Sequence, residues 1–204
     1  MILTRHEFVF LLILLGVTCA SAQSLSSSSV AALRSGGYIL VMRHAHSPRE
    51  LPDAASAHRD NDALERQLDA EGRAAAETMG SAIRDLEIPI GQILTSPTFR
   101  ALETVRALGL GDARSIEELG DGGNNMQPDA EGKRSAWLRA KVTEPPAQST
   151  NVLMVTHLPN LRGAFGDAAA DMADGETLIL RSDGGTVVVV GRVRIDEWSS
   201  LSTD

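Results

Sequence analysis

Three strand-length segments, each closed by residues able to do chemistry, constrain this chain more than any other feature. They are Tyr38–Met42 (YILVM), Ile90–Thr95 (IGQILT) and Asn151–Thr156 (NVLMVT). The first and third are near-continuous apolar runs, the pattern of strands buried on both faces beneath helices. Helical stretches fall between them. Ala70–Leu86 is rich in Ala and Glu and closes before Pro89. Ser96-Pro97 then starts a helix through about Leu108, with serine as N-cap and proline at the first helical position. Ser135–Val142 reads as a helix ended by Pro145-Pro146, and a short one follows Pro159. Thr177–Leu180 and Thr186–Ile195 read as two final strands around Asp183-Gly184-Gly185. This alternation predicts a three-layer α/β/α sandwich with a largely parallel central sheet. Ligands of such sheets bind beyond the carboxyl ends of the strands.

The start of the chain does not belong to that pattern. Arg5 precedes the apolar run Phe8–Val17, and Ala20-Ser21-Ala22 follows. A basic start, a short apolar run and an A-x-A site are the marks of a secretory signal. The run is too short for a spanning helix, which needs about 20 apolar residues, so no stable membrane insertion is expected. Residues 1–22 therefore read as a cleaved signal and the protein as periplasmic or secreted. A lipoprotein reading would rest on Cys19, but Gly16-Val17-Thr18 before it fits the lipoprotein pattern poorly. Residues 23–36 read as a serine-rich tether and a short helix, Val30–Arg34, and residues 37–204 as one domain. Cys19 is the single cysteine, so no internal disulfide or cysteine-rich zinc module is available. A net charge of −8 argues against a nucleic-acid partner.

Chemistry concentrates where the strands end. The first runs into Arg43-His44-Ala45-His46, the second into Ser96-Pro97-Thr98-Phe99-Arg100, and the third into His157. Topology alone brings two arginines and two histidines to one sheet edge. Guanidinium forks give paired, charge-assisted hydrogen bonds to phosphate oxygens. A helix starting near Pro97 would add backbone N–H donors. Histidine serves as a nucleophile when neutral and as a cationic donor when protonated. A site using one in each state must hold the two apart.

These residues resemble the histidine phosphatase superfamily, which includes phosphoglycerate mutases and small phosphohistidine phosphatases. The family's Arg-His-Gly opening corresponds to Arg43-His44-Ala45, and its Ser-Pro-x-x-Arg-Ala-x-x-Thr segment to Ser96–Thr104. The strand ending in a second histidine corresponds to Val152–His157, and the Leu-x-x-x-Gly helix start to Leu68–Gly72. The resemblance spans about Gly37 to Ile195. It implies that His44 attacks phosphorus while Arg43, Arg100 and His157 bind the phosphoryl oxygens, with water releasing the phosphohistidine. It implies no metal and no cofactor, because arginines stabilise the transferring charge. A glutamate often protonates the leaving oxygen, and Glu118 in Ile116–Gly122 has that spacing; an exposed acidic loop is the other reading of the same residues. The substrate expected is a small phosphate monoester or phosphoramidate, with envelope sugar phosphates suited to an exported enzyme. A non-catalytic phosphate-binding module and a phosphomutase are the competing functions.

Other residues carry plainer expectations. His46 completes a His-x-His pair without evident further metal ligands, so support behind the nucleophile fits it better. Asp53, Asp60 and Asp62 are weaker acid candidates in the polar stretch Arg49–Gln67, whose length marks it as a lid or binding loop. His58 in that stretch reads as solvated. Glu103 is placed for an i,i+3 link to Arg100. Trp137 and Trp198 read as core.

Overall fold

The computed structural model describes residues 27–121 and 132–201. The proposed signal, residues 1–22, lies outside the described residues, as do residues 122–131. The described elements are helix α1 (Ser27–Ser35), strand β1 (Tyr38–Arg43), α2 (Ala70–Asp85), β2 (Ile90–Thr95), α3 (Phe99–Leu108) and β3 (Ala113–Ser115). They continue with α4 (Lys133–Lys141), β4 (Asn151–Thr156), α5 (Leu158–Phe165), β5 (Thr177–Asp183) and β6 (Thr186–Val193). The six strands form one sheet in the order β3-β2-β4-β1-β5-β6. β3, β2, β4 and β1 run parallel, whereas β5 and β6 close one side as an antiparallel hairpin. The sheet is thus mixed, and β3 is a short edge strand.

Two apolar layers flank the sheet. On one face Leu40, Met42, Leu153 and Val155 pack with Val30 and Leu33 of α1, Met79 and Ile83 of α2, Leu108 of α3 and fully buried Trp198. On the other, Ile39, Val41, Leu94 and Met154 pack with Leu138 and Val142 around α4 and with Leu161 of α5, with Trp137 against that layer. Alternate residues of β1 and β4 therefore serve opposite cores, which is why neither strand can carry polar residues at a two-residue period. The segment before β1 is more than a tether, since α1 contributes buried Val30 and Leu33.

Two details fix the sheet edges. At the amino edge the buried Asn151 amide donates to the Leu33 and Pro89 carbonyls, while its oxygen accepts from the Tyr38 N–H. One side chain thus ties three chain segments together and satisfies its own polar atoms. At the carboxyl edge Gly72 lies so close to the loop after β1 that an added Cβ would sit 2.2 Å from the His46 carbonyl oxygen. Only glycine permits that approach, which gives the Leu-x-x-x-Gly start of α2 its physical reason. No described helix is long and apolar enough to cross a membrane.

Candidate active site

Parallel pairing brings the three strand ends together. Arg43 is in register with Thr156, and Thr95 with Val155. The ladder extends one residue further, as His44 N–H donates to the Thr156 carbonyl and Ser96 N–H to the Val155 carbonyl. His44, Ser96 and His157 therefore emerge side by side. Arg100 reaches them from the first turn of α3. Its Nε donates to His44 Nε2 at 3.3 Å, and its terminal nitrogen to His157 Nδ1 at 3.1 Å. The two imidazoles lie 5.1 Å apart, centroid to centroid. Arg43, His44, Arg100 and His157 thus meet at the edge where topology places them.

The hydrogen-bond partners assign the tautomers. His44 Nδ1–H donates to the Ala45 carbonyl at 2.8 Å, leaving the Nε2 lone pair toward Arg100. His157 accepts at Nδ1, so its Nε2–H donates to Ser96 Oγ at 2.8 Å. Burial is the largest cause pushing the His44 pKa down to about 3. The Ala45 bond opposes this, while Arg100, Arg43 and Arg66 add to it. Burial and the same arginines also hold His157 well below the ordinary histidine range. Both rings are consequently neutral at pH 7. Both rings share one buried, cationic pocket, which disfavours the charged form of each.

Motif residues earn their places through support. Thr104 Oγ1 accepts from the Ala45 N–H and donates to the Arg100 carbonyl, joining the nucleophile's loop to α3. Ser96 Oγ accepts both the His157 Nε2–H and the Thr98 N–H, so it orients His157 while bracing the start of α3, whose N-cap is Thr98, two residues later than expected. The Phe99 N–H at that helix start is occupied by the Glu65 carboxylate at 3.1 Å, so it is not an open donor. Glu103 is buried and turns from Arg100 to Arg73 and the Leu68 N–H. Its partners lie on α2 and its approach, which local spacing could not reveal.

Further groups complete the surroundings. Arg43 donates to the Met172 carbonyl and pairs with Asp174 at 2.6 Å. Asp121 pairs with Arg100 and lies 3.5 Å from His157 Nδ1. Glu118, three residues earlier, is half-buried on the 3-10 turn Glu117–Leu119, and its backbone carbonyl lies against the Asn160 amide. The spacing that singled out Glu118 thus leads to the right turn, but the carboxylate touching Arg100 is Asp121. Arg66 had no motif to announce it. It is anchored to the Ser47 and Pro48 carbonyls, and its charge acts on both histidines. His46 bonds Asp69 at 2.8 Å, and Glu71 lies nearby. Asp69 uses its other oxygen to cap α2 at Gly72, so this cluster serves the helix start. His58 is exposed, as expected, with its ring tilted at 45° to that of Phe99, 5.9 Å between centroids.

Comparison with known proteins agrees with the geometry. The fold resembles that of the protein histidine phosphatase SixA complexed with tungstate, at 19% identity and TM-score 0.58, covering 78% of this chain and 98% of that one. It also resembles YhfR of Bacillus stearothermophilus, at 18% identity and TM-score 0.55, covering 76% and 95%. A phosphoserine phosphatase mutant from Entamoeba histolytica, in complex with phosphoserine, matches at 12% identity and TM-score 0.52, covering 76% and 95%. These likenesses establish the fold. No curated protein matches the sequence. Residues 39–191 match the histidine phosphatase superfamily, branch 1, and the chain belongs to that superfamily.

Proposed function

We propose that this protein is an exported phosphatase that hydrolyses small phosphate monoesters or phosphoramidates through a phosphohistidine on His44. The observation that carries this reading is the Arg100 guanidinium bridging two buried, neutral histidines. A neutral imidazole with an available Nε2 lone pair is a nucleophile without help from a base. His44 Nε2 forms the N–P bond as the bond from phosphorus to the leaving group breaks. Arg43, Arg66 and Arg100 stabilise the equatorial oxygens, and such preorganised charge is usually the largest catalytic contribution. The leaving oxygen or nitrogen takes a proton. Water then attacks phosphorus, the N–P bond breaks, and inorganic phosphate leaves with His44 neutral again.

Asp121 is the carboxylate we assign to carry protons in both steps, because it contacts Arg100 and lies 3.5 Å from His157 Nδ1. The apolar run before Ala20-Ser21-Ala22 supports export, and with it a substrate met outside the cytoplasm, envelope sugar phosphates among them.

Trapping tests the covalent step. Quenching in alkaline detergent during turnover of p-nitrophenyl phosphate, followed by an acid challenge, should show alkali-stable, acid-labile phosphate on the protein. His44→Ala should lose both the label and at least about 10³-fold in rate. Equal rates in the two proteins would sink the nucleophile assignment, and absence of turnover with any ester would leave a phosphate-binding module.

A further inference from the structure

Resting on that reading, we propose that Arg192, on the far hairpin, is a positioning residue that holds Arg43 in the phosphoryl pocket through Glu176. Beside the pairing with β4, four contacts hold the end of β1 from residues 172–176. The Met172 carbonyl and Asp174 take the Arg43 guanidinium, the Glu176 carbonyl takes the Arg43 N–H, and Gly175 N–H donates to the His44 carbonyl. This short loop has no helix or strand of its own to stiffen it. Its stiffness comes from the Glu176 carboxylate, which is buried. One oxygen accepts from the Ala173 N–H at 2.8 Å, and both accept from Arg192, at 2.7 and 2.8 Å. The third Arg192 nitrogen bonds Asp171 at 2.7 Å, so one guanidinium staples both ends of the loop.

A β-bulge aims Arg192 at this loop. Ile179 pairs with Gly191 but Leu180 pairs with Val189, which leaves Val190 as the extra residue. Val187 and Val189 pack on the α4/α5 face, whereas Val193 is in the α2/α3 core. Regular alternation would put all three on one face. The bulge switches faces, so Arg192 follows Leu178, its partner in register, onto the side where Asp171 and Glu176 lie. Re-aiming a side chain near an active site is a common use of bulges. The paired ion contacts also bring Arg192 and Glu176 close in a largely water-shielded place, where a bidentate fork is strongest.

Phosphate binding separates this role from a general contribution to folding. The full chain, wild type and variants, is titrated calorimetrically with inorganic phosphate, with thermal melting recorded alongside. Arg192→Lys keeps the cation and loses the fork; it should weaken phosphate binding about tenfold, since small displacements of a binding group are costly. Glu176→Gln should act in the same way. In an Arg43→Ala background, Arg192→Lys should have no additional effect, because both changes act through one guanidinium. Additive losses, or a lowered melting temperature with unchanged phosphate affinity, would overturn the positioning role while leaving the phosphatase reading intact. A wild-type protein that binds no phosphate would overturn both.

Discussion

The floor of the pocket and the loop at residues 49–67 both supply charged groups to one site, but they are built by different physics. On the floor, Arg43, His44, Ser96 and His157 are placed by parallel strand register, and His44 and His157 are 4% and 1% exposed. The loop has no regular structure and is held by side chains. Asp53 caps Ala55 and Ser56, Asn61 grips Glu65, Gln67 reaches the Ser56 carbonyl, and Arg66 holds the Ser47 and Pro48 carbonyls. The difference teaches that backbone pairing positions the reacting groups, while the loop adds charge and shape around them. Chemistry should thus be sensitive to the floor and selectivity to the loop.

Among the cations, the largest effect should come from Arg100, which reaches the floor from the first turn of α3. Arg100→Ala should reduce the rate by on the order of 10²–10³, mostly in kcat, as expected when one preorganised donor is lost. A loss confined to KM, read from steady-state kinetics, would place Arg100 with the loop's groups instead. Acid should come next. Because His44 has a folded pKa of about 3, far below its unfolded value, the unfolded chain binds more protons between those limits. Stability should therefore fall as pH drops below about 6.5, by on the order of 2 kcal/mol at pH 5 for this residue alone. Urea unfolding at pH 7 and pH 5 measures it, and His44→Gln should flatten the difference. An unchanged slope in that variant would mean that other groups dominate acid sensitivity.

Loop variants should be milder. Arg66→Ala should cost about tenfold, chiefly in KM, because it removes one of several cations acting on the phosphoryl group. A loss as deep as that of Arg100→Ala would move Arg66 onto the catalytic floor. His58→Ala should change the unfolding free energy by no more than about 0.5 kcal/mol, as an exposed site with one ring contact would. A greater loss would show that the His58–Phe99 contact anchors the loop, and so narrow the contrast with the floor.

Much of this was legible before any coordinates. β2 and β4 have the bounds read from their apolar pattern, and the convergence of Arg43, His44, Arg100 and His157 follows from the rule that parallel strands carry sites at their carboxyl ends. Local patterning served less well where tertiary contacts compete with it. Ser96 has the look of an N-cap and does accept the Thr98 N–H, but its hydroxyl also serves His157, and α3 begins after Thr98. Glu103 has the spacing for Arg100, but Arg73 and the Leu68 N–H hold it. Glu118 has the motif spacing, yet the backbone turn delivers Asp121 to Arg100.

By itself, then, the amino-acid order determined which segments become buried strands and which reactive residues end them, since hydrophobic period and chain direction are local properties. Only the tertiary structure decided the protonation of the two histidines, the partner of each arginine and the recruitment of Arg66. Those depend on burial and on charges brought together from segments distant along the chain, and no local pattern encodes a distance across a pocket.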